Sequence, residues 1–117
     1  MNKKIKDFIV NIFVAVLTLA VVSMYNKNTL IASSALIILS IAYLFYYKDK
    51  TTTIVYLIGA IGGPLAEVIA IKFGTAWGYS TTTFLSIPFW LIFVWGNAAA
   101  FIYQSGLLMR RIIKNDN

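Results

Sequence analysis

Four runs of close to twenty apolar residues fill most of this 117-residue chain, and few folds accept such a sequence. A helix rising 1.5 Å per residue needs about 20 apolar residues to cross the ~30 Å hydrocarbon core of a bilayer. The runs lie at 8–25, 29–47, 53–73 and 88–109. None alternates with period two, and all are too long for the strands of a transmembrane barrel. The predicted fold is all-α: an integral membrane four-helix bundle, one transmembrane domain over 1–117, with an outer loop at 74–87. The other separators are short and polar, Asn26 to Asn28 and Lys48 to Lys50, so consecutive spans are antiparallel hairpins.

Composition closes the soluble alternatives. With 60% hydrophobic and 12% charged residues, the chain cannot cover itself with a polar surface, and no stretch is hydrophilic enough for a separate globular domain. It has no cysteine and no histidine. Disulfides, thiolate chemistry, imidazole catalysis and the usual transition-metal ligands are therefore excluded, and no cofactor or metal is expected.

The net charge of +6 is divided between the chain ends and short loops, the pattern of membrane topology and not of a nucleic-acid surface. With a cytoplasmic N-terminus, the inner side collects Lys3, Lys4, Lys6, Lys48, Lys50, Arg110, Arg111 and Lys114, against only Lys27 and Lys72 outside. The positive-inside rule then predicts that both ends are cytoplasmic; the membrane is expected to be a bacterial or archaeal plasma membrane. The first run is read as an uncleaved anchor, because it exceeds a typical signal-peptide core and no small-x-small cleavage site precedes Asn26. Tyr46, Tyr47, Trp77, Tyr79 and Trp90 fall near the interfaces, where half-polar rings anchor a helix.

The first two spans hold little chemistry. Asn11, Ser23, Ser33, Ser34 and Ser40 are expected to form interhelical hydrogen bonds. The third differs: Gly59 and Gly63 make a GxxxG step that lets another helix approach closely, and Glu67 continues the same line. Pro64, three residues before the acid, removes a backbone donor inside the span. Glu67 lies six residues from Phe73, about 9 Å along the axis. A carboxyl at such depth is costly, which makes it the leading candidate site residue, with a catalytic role if the protein is an enzyme.

In the fourth span Trp90, Asn97 and Gln104 recur every seven residues and share a face, beside a Gly96–Ala100 small-residue step. Asn97 lies about 13–14 Å inside Pro88, near the depth of Glu67. The expectation is an outward-opening pocket lined by Glu67 and Asn97, walled by Trp90 and Trp95. The uncharged loop with Trp77 and Tyr79 either lids it or rests on headgroups.

The order Glu67, then Gly74, Trp77, Gly78 and Tyr79, then Ile87, Pro88 and Trp90 resembles the acid, Gly-aromatic turn and Pro-led helix of lycopene-cyclase-like and related carotenoid-biosynthesis membrane proteins. It covers about a third of the chain. Heterodimeric lycopene cyclases carry a proline-linked acidic pair after the turn, where this chain has Phe89 and Trp90. The resemblance implies a lipophilic, isoprenoid-like substrate, with Glu67 as proton donor to a double bond and the tryptophans stabilising cationic character. Two other classes stand beside it: a proton- or cation-coupled transporter or channel subunit completed by a homo-oligomer, and an accessory protein docking another membrane protein.

Overall fold

The computed structural model describes residues 2–79 and 81–114. Four helices form, α1 (Lys3–Tyr25), α2 (Thr29–Tyr47), α3 (Lys50–Gly74) and α4 (Leu91–Ile113), and no strand appears among the described residues. Each is long and apolar enough to cross a membrane. At 1.5 Å per residue they measure roughly 28 to 38 Å.

Local chemistry sets the boundaries. Asn2, Asn28 and Asp49 cap α1, α2 and α3 by accepting from the backbone N–H of Lys4, Ile31 and Thr52. Helix α2 coincides with its predicted span, whereas α1 and α3 begin earlier, at Lys3 and Lys50, and α4 ends later, at Ile113. Charge bounds an apolar span but not a helix, because lysine and arginine are good helix formers and continue the backbone beyond the apolar stretch. At its start α4 falls short of expectation. Residues 88–90 form a tighter turn in which Leu91, Ile92 and Phe93 donate to the carbonyls three residues earlier. Helix α3 passes through the buried Pro64 unbroken.

The helices run up and down, so both chain ends share one end of the bundle. Arg111 of α4 meets Asp7 of α1 there, while Trp90 meets Asn26 at the other end. Helix α4 touches all three others and packs most closely on α3, whereas α2 hardly touches α3. The small residues explain the α3–α4 contact. A Cβ on Gly59 would lie 2.8 Å from the Trp95 carbonyl oxygen and overlap Ala99, and one on Gly63 would enter the Trp95 ring. Gly96 is covered by the Tyr56 ring.

Burial is inverted relative to a soluble bundle. Asp7, Asn11, Thr18, Ser40, Thr52, Glu67, Asn97 and Gln104 are buried, while Phe8, Phe13, Leu19, Ile38, Phe45, Ile61 and Ile102 are exposed. Lipid-like surroundings favour an apolar exterior around hydrogen-bonded polar groups, and an aqueous surface of this kind would aggregate. This distribution supports a membrane protein.

Between α3 and α4, Phe84 and Ile87 exchange backbone hydrogen bonds across a two-residue turn. Its central residues, Leu85 and Ser86, have φ of 49° and 67°, the pattern of a type I′ turn that favours Asn-Gly. Both side chains are exposed. The double substitution Leu85→Asn and Ser86→Gly is expected to stabilise the protein by about 1–2 kcal/mol, measured by thermal unfolding in detergent. An unchanged or lower melting temperature would contradict this turn.

Candidate functional site at Glu67

Glu67 is 8% exposed, held on the α3 face that meets α4. Its carboxyl accepts from three aromatic side chains. Trp77 Nε1–H donates to Oε1 at 3.0 Å, the Tyr79 hydroxyl also donates to Oε1, and Trp95 Nε1–H of α4 donates to Oε2. Gly63, one turn before Glu67, makes room for the Trp95 ring, so the GxxxG step and the acid belong to one construction.

The other two donors come from the loop. Tyr79 is half-buried, and its ring meets that of Trp90 edge-on at 5.9 Å. Burial, and then the neighbouring Glu67 carboxylate, push the Tyr79 phenol above its ordinary value, so it remains a donor through the physiological range. Tyr79 and Trp90 line a cavity of about 230 Å³ with Val22, Asn26 and Thr81. Tyr79 thus both lines this cavity and bonds the carboxyl. No lysine or arginine pairs with Glu67 among the described residues, and Lys72 is exposed. Every group bonded to this acid offers it a hydrogen and none brings a charge.

Of the residues predicted to surround Glu67, Trp77, Tyr79 and Trp95 bond it directly and Trp90 stands behind Tyr79. Asn97 and Gln104 do not join them, which corrects the expected pairing of Glu67 with Asn97. Asn97 accepts from Ser40 at 2.9 Å and donates to Thr18 at 3.2 Å, tying α4 to α2 and α1. Matching depth does not fix rotation about the axis: Asn97 is two residues from Trp95, about 200° around the helix, so one faces away when the other faces Glu67. Gln104 donates to Thr52 at 2.7 Å, and Trp90 donates to the Asn26 carbonyl at 3.1 Å. The seven-residue stripe is therefore a seam joining α4 to its neighbours.

A second polar centre lies at the end holding the chain termini and was not singled out in the sequence. Asp7, 1% exposed, accepts from Arg111 Nη2 at 2.6 Å, from the Tyr46 hydroxyl at 2.8 Å and from Lys3 Nζ at 3.4 Å. Asn11, one turn on, accepts from Tyr43 and Tyr47, both at 2.7 Å. The signal was present. Asp7, Asn11 and Thr18 share a helical face, a polar stripe hidden by the lysines around Asp7.

The chain matches no protein-family description, no curated protein and no solved structure.

Proposed function

We propose that the chain is a multi-pass plasma-membrane protein, with both ends cytoplasmic, that binds a lipophilic molecule through a hydrogen-donating or cationic head placed on Glu67. One observation carries this reading: a buried carboxyl without a fixed cation, two of whose three donors sit on a loop. An acid at this depth costs a few kcal/mol on insertion scales. A purely structural acid would draw its partners from the packed helices, whereas Trp77 and Tyr79 can leave with the loop.

An ammonium or hydroxyl group entering through the cavity beside Tyr79 replaces those donors and leaves aromatic faces around the head. The cavity is smaller than the roughly 300 Å³ at which sites for whole small molecules begin, so it suits a head whose tail remains in lipid. An isoprenoid alcohol belongs to this class. A bare hydrocarbon does not, because it offers the carboxyl no hydrogen. Glu67 acts here as an anchor, consistent with a contact set made entirely of donors.

Mass spectrometry of lipids retained by the purified wild type and by Glu67→Gln tests the proposal. The wild type is expected to enrich one amphiphile over bulk membrane, with retention falling about tenfold in the variant, the loss of roughly one charge-assisted hydrogen bond. Bulk lipid composition in both preparations would refute it.

A further inference from the structure

The end of the bundle that holds the chain termini carries a cavity of about 420 Å³, larger than the one beside Tyr79. Lys3, Arg110, Arg111 and Lys114 line it, together with the carboxylates of Asp7 and Asp49. We propose that this cavity is a binding site for a phosphate-bearing anion. It lies at the opposite end of the molecule from the cavity beside Tyr79 and shares no lining residue with it.

Charge is the first argument. The four cations exceed the two anions, and both carboxylates are already engaged. Asp7 is held by Arg111, Tyr46 and Lys3. Asp49 caps α3, accepting from the Thr52 hydroxyl at 2.6 Å and from its backbone N–H at 3.3 Å. Among the described residues Arg110 and Lys114 form no ion pair. They stand one turn apart on the exposed end of α4 and can converge on one anion.

Shape is the second. A loose flank of basic residues satisfies membrane topology without forming a concavity, but these cations border an open-mouthed one large enough for a phosphodiester headgroup or a pyrophosphate. The buried Gln104 lines the same cavity, and its amide, bonded to Thr52 at 2.7 Å, retains a second N–H for an oxyanion. Arginine guanidinium forks and lysine point charges are the usual recognition of phosphate oxygens, and basic pockets between membrane helices take anionic headgroups.

The test compares thermal unfolding of the full chain in neutral detergent with two added probes, dioleoylphosphatidylglycerol in mixed micelles and inorganic pyrophosphate. A ligand that binds only the folded state raises the melting temperature. Wild type is expected to respond to at least one probe, with the shift cut roughly threefold or more in Arg110→Gln/Lys114→Gln. A response to the phospholipid alone assigns a lipid headgroup, and a response to pyrophosphate assigns a soluble phosphorylated ligand. Lys48→Gln/Lys50→Gln removes the same charge from that end without touching the cavity lining, and should keep the full response. No shift in wild type with either probe, or equal losses in the two double variants, would overturn the site in favour of none or of diffuse surface charge.

Discussion

Arg111→Leu is expected to lower the stability of the folded bundle by about 3 kcal/mol, because it leaves the Asp7 carboxylate buried without its closest cation. Asp7 is 1% exposed and its bond to Arg111 is 2.6 Å, whereas Lys3 is more distant at 3.4 Å and itself largely exposed. The loss belongs to the stranded charge more than to the missing attraction. Asp7→Asn combined with Arg111→Leu should therefore recover most of it, giving a coupling of about 2 kcal/mol in a double-mutant cycle of denaturant unfolding in mixed micelles. A cost under about 1 kcal/mol for Arg111→Leu alone would mean that water or lipid headgroups solvate Asp7 in place of the arginine.

Gly63→Ala carries the second large effect, of about 3 kcal/mol, although it adds only a methyl group. That group would occupy the Trp95 indole ring, not the tip of a side chain that can swing aside. Trp95 must move, and in moving it withdraws its N–H from Glu67. Stability and site geometry should fall together, read as a lower melting temperature and a red-shifted tryptophan emission. Gly62→Ala, one residue away where a Cβ meets nothing, is the control: it should leave the emission unchanged and hold or slightly raise the melting temperature. Equal behaviour of the two variants would show that α3 does not press on α4 through Gly63.

Much of the fold follows from the length and composition of the four apolar runs, and the α2 span was legible to the residue. The alignment of Gly59, Gly63 and Glu67 toward another helix was legible too, since small residues mark close approach. Rotation about α4 was not. Periodicity says which residues share a face but not which neighbour that face meets, and α4 touches three helices, so Trp95 and Asn97 are both engaged on opposite sides. The role of Asp7 was concealed for a different reason. Its partners Tyr46 and Arg111 are 39 and 104 residues away, and the nearby lysines already had an explanation in membrane topology.

Glu67 holds Trp77 and Trp95 in the resting protein and, under the proposed function, exchanges a loop donor for the head of a lipophile. The three tryptophans make that directly observable, since each indole N–H gives one proton–nitrogen correlation peak and all three are hydrogen-bonded. The measurement is this spectrum of the labelled chain in micelles, alone, with a total membrane lipid extract, and as Glu67→Gln. Glu67→Gln is expected to move Trp77 and Trp95, the extract to move Trp77 in wild type but not in the variant, and Trp90, which walls the cavity but keeps its bond to the Asn26 carbonyl, to move less than Trp77 in both. A wild-type spectrum indifferent to the extract, or one in which all three peaks shift alike with and without Glu67, would contradict it.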